Sequence, residues 1–477
     1  ANFYGTSNVS DAYLIACSVP TLLFYFIGHA LSTSYLPMYN KVKKEHGIQK
    51  ADLFTSNITN IALLLCTIII VALQLFPQFI VKLFAAGFDS ETSALAARFI
   101  RTSAISLYCM VLVNIGSGYL QICNNFLIPA AVSLPRNFVI IASIFLASSF
   151  NVGFLGWGFL GAYLAEFLFL IPFIKKNNYK HRLYVNFKDE NIKETLYLTV
   201  PIIIGVGVSQ INNIVSKSIA STISEGAISA LNYASVINNA VQEILVTGII
   251  TVLFADSAAH VANNEHDMVK VKLSKTIDGM VMILLPSIFG ILILADPIVT
   301  VFFSRGKFNE QSSVMTVSSL RLFSIGLVFT AVRDTLIKVF YAYKETLITT
   351  LTSIVSIVLN IILSLIFSRL IGVHGLALAT SLSAVFNCTG LYVLLRKKIG
   401  DFYFANTIKV IVKSFFACLI MSLSVKLVYY AFMKHNTSIL ISLLVSTVIG
   451  IVVYGLAVIV LKIKPALEIL GKISKRG

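Results

Sequence analysis

The sequence has little charge and no polar stretch long enough to fold as a separate soluble domain. Charged residues make up 12% of its 477 residues, against about 25% in soluble proteins. Hydrophobic residues make up 57%, and the mean hydropathy is +0.87. These values exclude a soluble protein and indicate a polytopic integral membrane protein.

The sequence also lacks the motifs of metal, redox and nucleotide chemistry. Its six cysteines form no Cys-X-X-Cys pair and lie in or beside apolar runs, so we interpret them as small buried hydrophobic residues. There is no glycine-rich phosphate loop. We therefore expect no cofactor, no metal site and no catalytic centre, and we interpret the chain as a transporter rather than an enzyme.

Apolar runs of membrane-spanning length dominate what is present. A spanning helix needs about 20 apolar residues, and thirteen segments meet this requirement. The predicted spans are 11–38, 54–78, 95–121, 127–149, 153–174, 196–220, 227–255, 274–296, 315–342, 346–368, 373–395, 405–430 and 438–461. The opening residues read like a connection that follows a helix. We therefore expect one further span before residue 1, which gives fourteen in the whole protein.

Basic residues are concentrated in alternate connections between these segments. The net charge of +16 comes mostly from the loops at 41–50, 175–193, 269–275 and 396–398 and from the tail. Such a distribution is the topology signal of a membrane protein rather than a nucleic-acid-binding surface, so we expect no nucleic-acid partner. The positive-inside rule places these loops in the cytoplasm, which puts residue 1 outside and the C-terminus inside.

The chain contains an internal repeat. The segment "LFAAGFDSETSALAARFIR" (83–101) is similar to "FFSRGKFNEQSSVMTVSSLR" (302–321). "GFLGWGFLGAYLAEF" (153–167) is similar to "GVHGLALATSLSAVF" (372–386). The offset of about 219 to 222 residues spans six predicted helices, an even number, so both halves have the same orientation in the membrane.

The repeat predicts an all-α fold with two six-helix lobes around a central cavity. We assign residues 1–180 to an N-terminal lobe and residues 181–400 to a C-terminal lobe. Residues 401–477 lie outside the repeat and add two lipid-facing helices and a basic cytoplasmic tail.

Several predicted helices carry polar side chains three, four or seven positions apart, and such residues share one face. Lipid cannot satisfy these groups, so we expect them to line a water-filled cavity, where ionisable residues are functional candidates. The substrate-binding candidates are basic, amide and aromatic: Arg333, Lys338, Lys217, Gln210, Asn232, Asn239, Gln242, Tyr25 and His29. The carboxylates that could couple transport to Na⁺ or H⁺ are Asp11, Glu166, Glu243, Asp278 and Asp334.

Structural roles remain open for the same residues. Asp334 and Lys338 are four positions apart and could form an ion pair. Arg333 could hold its helix to a neighbour, and Lys217 could extend toward a helix end. Asp11 begins a predicted helix and could be its N-terminal cap.

Five segments of the sequence resemble one family. "FYGTSNVSDAYLIACSVPTLL" (3–23) and the longer stretch 201–234 are similar to the MviN/MurJ lipid II flippases. "PIVTVFFSRGKF" (297–308), "FYAYKET" (340–346) and "GVHGLALATSLSAVFN" (372–387) continue the resemblance. The similarity runs from residue 3 to about residue 400 in register, and the two extra C-terminal helices also fit.

The resemblance implies transport of a polyprenyl-diphosphate-linked saccharide from the inner to the outer leaflet of the bacterial cytoplasmic membrane. It also implies a cationic cavity and an apolar groove for the lipid tail, formed by helices 405–430 and 438–461. The sequence departs from the family pattern at Phe24 and Tyr25, where arginines are usual, and at Ser235 and Val236, where Asp-Arg is usual. These departures leave the identity of the head group open.

Three alternatives therefore stand beside lipid II transport. The chain could transport the repeat unit of an exopolysaccharide or O-antigen. It could be a cation-coupled exporter of small molecules like the MATE transporters, which usually have twelve helices. It could also be a scaffold that recruits cell-wall synthesis enzymes. For a transported anion, the membrane potential is a sufficient driving force without ATP.

Overall fold

The structure is a computed structural model that describes residues 1–177, 179–402 and 404–467. Within helices it leaves undescribed the side chains at 29, 30, 32, 33, 196–206, 208, 209 and 404. The part of the chain it describes is all-α, as predicted, and contains no strand. Its helices are α1 (Asn8–His46), α2 (Ile48–Leu75), α3 (Pro77–Phe84), α4 (Ser90–Ala104), α5 (Ser106–Ile122), α6 (Leu127–Ala131), α7 (Ser133–Ser149), α8 (Phe154–Lys176), α9 (Glu190–Ser221), α10 (Ala227–Ala262), α11 (His266–Phe303), α12 (Glu310–Ile325), α13 (Leu327–Ala342), α14 (Thr346–Ile371), α15 (Val373–Ile399), α16 (Phe404–Lys434) and α17 (Ile439–Val460).

The helices are those of a polytopic membrane protein. Among the described residues, eleven helical segments are long and apolar enough to cross a membrane, or twelve if the bent pair α12 and α13 forms one span. Each of the thirteen predicted segments falls largely within one helix or one pair of consecutive helices. The total of thirteen spans, and of fourteen in the whole protein, stays a prediction.

The contacts divide the chain into two compact units. The first unit is Ser7–Glu225, and the second contains Ala1–Thr6 together with the chain from Gly226 onward. The predicted boundary between the lobes is residue 180, which would assign helix α9 to the C-terminal lobe. The contacts instead group α9 with the first unit.

Helix α9 is tied to the first unit at both of its ends. Near its beginning, Glu194 pairs with Lys41 of α1 at 2.7 Å. At its end, the hydroxyl of Ser221 accepts a hydrogen bond from the backbone N–H of Gly87 at 3.0 Å. Gly87 has no side chain, and a Cβ atom at this position would collide with the backbone of Ser221. The division by contacts therefore does not follow the division by sequence repeat.

The two units share local features at equivalent positions of the repeat. Helix α4 begins after Asp89, whose carboxylate accepts from the backbone N–H of Thr92 at 2.9 Å. Helix α12 begins after Asn309, whose side chain accepts from Ser312 at 2.8 Å. These are side-chain caps, which satisfy backbone donors that a helix start leaves free.

Both repeats then break at corresponding points. The break between α4 and α5 is at Ile105, and the break between α12 and α13 is at Gly326, where the helix bends by 44°. A Cβ atom on Gly326 would lie 3.0 Å from the Cα of Ser381 on α15. Glycine at this position allows the bent helix to approach α15 closely.

Candidate functional site

The first unit contains a polar cavity that is lined by α1, α3 and α9. We name it the Lys217 cavity; its volume is about 320 Å³. Three of the predicted substrate-binding residues, Tyr25, Gln210 and Lys217, line it together. Ser18, Thr21, Leu22, Phe84, Asn213 and Ile214 complete the lining. The structure thus brings together residues that lie almost 200 positions apart in the sequence.

Among the residues described around it, the cavity has a basic side chain, Lys217, and no acidic one. Lys217 donates a hydrogen bond to the hydroxyl of Ser18, and that hydroxyl donates to the backbone carbonyl of Leu14 at 2.5 Å. The amide of Asn213 donates to Gln210 at 3.2 Å. No carboxylate pairs with Lys217 among the described residues. An ammonium group surrounded by hydroxyls and amides suits an anionic ligand that also offers hydroxyl groups.

In the second unit, the predicted binding residue Arg333 forms an ion pair with Asp334, which was predicted as an ion-coupling residue. The guanidinium of Arg333 donates from Nε and Nη2 to the same carboxylate oxygen of Asp334, at 2.9 and 2.7 Å. Gln242 on α10 donates to the other oxygen of Asp334 at 3.1 Å. Arg333 is therefore held to a neighbouring helix through Asp334, which agrees with the structural alternative. Both charged side chains remain about 30% exposed (29% and 31%).

The proposed ion pair between Asp334 and Lys338 is wrong. Because Arg333 and Gln242 occupy the carboxylate of Asp334, Lys338 points elsewhere. Its ammonium lies 5.5 Å from the centre of the Phe254 ring and 5.8 Å from that of Tyr341. This is a cation–π arrangement. It leaves Lys338 without a carboxylate partner in the described part of the chain.

Two further binding candidates, Asn232 and Asn239, lie on α10. Asn232 is half-buried, and its backbone carbonyl accepts from Ser235 at 2.9 Å. Asn239 and Glu243 are exposed one helical turn apart. The side chain of His29, which we also predicted to bind substrate, lies outside the described residues.

The other carboxylates have structural surroundings. Asp11 is only 1% exposed within the first turn of α1. The helix is capped not by Asp11, as one alternative had it, but by Ser7, which accepts from the N–H of Ser10 at 3.4 Å. Asp278 on α11 accepts a hydrogen bond of 2.6 Å from Thr407 on α16. The described residues contain no cluster of three His, Cys, Asp or Glu that could hold a metal ion.

Glu166 forms a buried ion pair with an arginine that sequence reasoning missed. Its carboxylate on α8 lies 3.2 Å from Arg136 on α7, and the glutamate is 2% exposed. The guanidinium carbon of Arg136 also lies 5.6 Å from the centre of the Tyr163 ring. The signal was available, because Arg136 is a charge inside a predicted span, and intramembrane charges take partners.

A polar face on α2 was also missed. Ser56, Asn57 and Asn60 are buried although they lie in a predicted span. Their side chains bind the chain segment 179–186, which connects α8 to α9 and contains no helix or strand. Three polar residues within five positions of an apolar helix are the feature that could have indicated a buried partner.

An apolar groove lies in the second unit between α10, α11, α16 and α17. Its volume is about 480 Å³, and aliphatic side chains such as Leu245, Ile291 and Ile451 line it. Its polar groups are satisfied within the protein. Thr447 donates to the carbonyl of Leu443 at 2.8 Å, and Tyr454 donates to that of Met282 at 2.6 Å. The groove therefore offers a hydrocarbon surface at the two additional C-terminal helices.

Comparison with known proteins agrees with this arrangement. The family model described as lipid II flippase MurJ matches residues 1–460. A probable lipid II flippase MurJ of Rickettsia prowazekii is 25% identical over 96% of this chain and 91% of its own length. The lipid II flippase MurJ of Thermosipho africanus is 28% identical over 83% of this chain and 80% of its own length.

Solved structures show the same relationship. The structure of a lipid II flippase MurJ in an inward closed conformation is 26% identical, with a TM-score of 0.81, and covers 96% of this chain and 93% of that one. An inward-facing multidrug resistance MATE transporter of the MOP superfamily shares the fold at 17% identity, with a TM-score of 0.70 over 84% of this chain and 92% of that one. The chain therefore belongs to the MurJ family of lipid II flippases, which are membrane transporters and not enzymes.

Proposed function

We propose that this chain moves a polyprenyl-diphosphate-linked saccharide from the inner to the outer leaflet of the bacterial cytoplasmic membrane by alternating access. Lipid II is the first candidate substrate, because the chain belongs to the MurJ family of lipid II flippases. The observation that carries the proposal is the Lys217 cavity, whose described lining combines a lysine with hydroxyl and amide side chains and includes no carboxylate.

The head group is the physical obstacle to transport. A diphosphate cannot enter hydrocarbon unaided, because even one unpaired charge there is very costly. Charge-assisted hydrogen bonds from Lys217 offset part of this cost, and Gln210 and Asn213 are placed to bind sugar hydroxyls. In the second unit, Lys338 has no carboxylate partner among the described residues and is the next candidate for a phosphate contact.

The polyprenyl tail needs no polar contact. The apolar groove at α16 and α17 presents aliphatic side chains over about 480 Å³. We propose that it holds the first part of the tail while the rest stays in lipid. This agrees with the role that the resemblance implies for the two additional helices.

We propose the membrane potential as the driving force. It contributes about 2.3 kcal/mol per elementary charge per 100 mV, and the two phosphate charges double that value for outward movement. Coupling to Na⁺ or H⁺ needs an accessible carboxylate. Glu166 and Asp334 are already in ion pairs, whereas Glu243 is exposed on α10, so we assign that role to Glu243. We also propose that the C-terminus lies in the cytoplasm, because the basic loops follow the positive-inside rule.

Complementation tests the proposal. Bacteria depleted of their own lipid II flippase would express the full-length wild type, Lys217→Gln or Lys217→Arg. The amount of each protein in the membrane would be measured. Lys82→Gln is the matched control, because Lys82 is an exposed lysine on α3, the helix that contributes Phe84 to the cavity. We expect rescue by the wild type and by Lys82→Gln, partial rescue by Lys217→Arg and failure of Lys217→Gln.

Two results would contradict the proposal. Equal rescue by Lys217→Gln and the wild type would remove Lys217 from the transport site. Failure of the wild type at normal membrane levels would reject lipid II and favour another polyprenyl-linked saccharide or a scaffold that recruits cell-wall enzymes.

A further inference from the structure

The first unit contains a second cavity that the proposed transport cycle does not use. It has a volume of about 340 Å³ and lies between α2, α5, α8 and the connecting segment 179–186. We name it the Lys175 cavity. Its body is apolar, with Leu112, Ile115, Phe167 and Ile171 on its walls. The volume falls in the range of about 300–1,000 Å³ that is typical of small-molecule sites.

The segment 179–186 forms one wall of this cavity and is fixed in place. Asn57 and Asn186 exchange two hydrogen bonds, of 3.1 and 2.8 Å, between side chain and backbone. Asn60 donates to the backbone carbonyls of Arg182 and Tyr184 at 2.9 and 3.0 Å. The cavity is therefore bounded by a held segment and not by a loose loop.

Polar groups of the cavity are concentrated where this segment meets the end of α8. Lys175, Tyr179 and His181 line the cavity there. His181 is held by Asn60 at 3.0 Å and by Tyr179 at 3.2 Å. The side chain of Lys175 is exposed, and no carboxylate pairs with it in the described part of the chain. The cavity thus has a polar, cationic end and an apolar body.

The chain segment at this end of the cavity is basic, and Asp52 of α2 is an acidic residue close enough to act on Tyr119 and Tyr179. Residues 175–188 contain five basic residues and no acidic residue. Their field attracts anions, and basic pockets between membrane helices are suited to anionic lipid head groups. A ligand that matches both ends of the cavity has a phosphate next to a hydrocarbon chain.

We propose that the Lys175 cavity binds one acyl chain of an anionic phospholipid, with the lipid phosphate against Lys175. Tyr179 and His181 provide the polar edge beside the phosphate, and the chain lies along α5 and α8. Bound lipid fills the space beneath segment 179–186 and stabilises the connection between α8 and α9. The site is separate from the residues of the Lys217 cavity, and it does not depend on which substrate is transported.

Thermal unfolding of the detergent-purified full chain tests this site. A maleimide dye that reacts with buried cysteines reports unfolding, because Cys66, Cys109, Cys388 and Cys418 are buried. Phosphatidylglycerol, phosphatidylcholine or inorganic phosphate would be titrated into the protein. We expect saturable stabilisation by phosphatidylglycerol alone, because a ligand that binds only the folded state raises its stability.

Three variants locate the effect. Lys175→Gln should raise the half-saturating concentration of phosphatidylglycerol about fivefold, since one lysine near a lipid surface contributes about that factor to binding. Lys176→Gln is the matched control: it removes the same charge from an exposed neighbour that does not line the cavity, and it should leave the titration unchanged. Gly116→Leu should abolish the effect. Gly116 lines the cavity, and a Cβ there already lies 2.8 Å from Cδ1 of Ile174, so the larger side chain fills the space.

The proposal would be overturned by any of three results. Equal weakening by Lys175→Gln and Lys176→Gln would indicate a general surface charge effect. Undiminished stabilisation of a folded Gly116→Leu would place the acyl chain elsewhere. Equal stabilisation by phosphatidylcholine or by inorganic phosphate would show that the site does not require an anionic lipid.

Discussion

The ion pair between Arg136 and Glu166 gives an asymmetric prediction. The carboxylate is 2% exposed, whereas the guanidinium is 33% exposed and also lies against the Tyr163 ring. Removing the arginine leaves a buried charge with no described partner. Removing the glutamate leaves a cation that retains its contact with the Tyr163 ring and is not enclosed by the protein. The two single substitutions should therefore differ in their effect on stability.

The magnitudes follow from general values for buried pairs. Arg136→Gln should lower the free energy of unfolding by about 3 kcal/mol, because it strands a buried carboxylate. Glu166→Gln should lower it by about 1 kcal/mol, because an amide can still accept a hydrogen bond from Arg136. Replacing both residues with leucine should bring the protein within about 1 kcal/mol of the wild type, since apolar residues of similar size often match a buried ion pair.

Unfolding in mixed micelles, titrated with a denaturing detergent and followed by circular dichroism, measures these differences. Equal losses of stability for the two single variants would refute the asymmetry, and a double variant as unstable as Arg136→Gln would refute its cause.

The same variants test ion coupling through Glu166. A folded Glu166→Gln protein that still rescues flippase-depleted cells assigns Glu166 to structure, and loss of rescue at normal levels would give it a role in transport.

Three further predictions concern other contacts. Burial lowers the pKa of His181, so the unfolded chain binds a proton at this residue more readily than the folded chain. Protonation therefore favours unfolding, and protection of the adjoining segment from hydrogen exchange should fall as the pH drops below about 6.5. His181→Gln should remove this pH dependence. Thr407→Val removes the 2.6 Å hydrogen bond to buried Asp278 and should lower the free energy of unfolding by about 1.5–3 kcal/mol in the detergent titration; no loss would show that Asp278 is satisfied without it. Gly375→Ala places a Cβ against the backbone of Phe367 at the turn between α14 and α15, and should lower the thermal midpoint by an amount equivalent to about 1–3 kcal/mol; an unchanged midpoint would mean that the turn relaxes freely.

Much of the fold could be predicted because its determinants are local. Hydrocarbon requires the backbone to satisfy its hydrogen bonds within a helix, so each long apolar run becomes a helix wherever it lies in the chain. The repeat was visible for a similar reason, since capping residues such as Asp89 and Asn309 recur at equivalent positions. The family resemblance drew on the same segments and is confirmed.

Partner choice could not be predicted from helical spacing. Spacing allows Lys338 as an alternative partner of Asp334, because neighbours on a helix face are three or four apart. The structure instead pairs Asp334 with the adjacent Arg333, whose long side chain bends back to reach it. Spacing also gave no indication that α9 packs with the first unit, because that contact joins residues far apart in sequence.

The candidate site could be predicted only in part, because its residues come from helices that are far apart in the sequence. Tyr25, Gln210 and Lys217 were chosen separately from polar stripes on two helices, and the structure places them around one cavity. For segment 179–186 the sequence indicates only a basic loop. It has no periodicity, and its position depends on buried amides of another helix.

The way in which α2 holds this segment affects how the sequence can change over evolution. Asn57 and Asn60 bind backbone atoms at Arg182, Tyr184 and Asn186, and these four hydrogen bonds do not involve the side chains at those three positions. Any residue other than proline at position 186 can supply the same backbone groups. As far as these four bonds are concerned, positions 182, 184 and 186 can change side chain, while Asn57 and Asn60 are constrained. Related chains can differ widely in this connection and still keep it attached to the same helix.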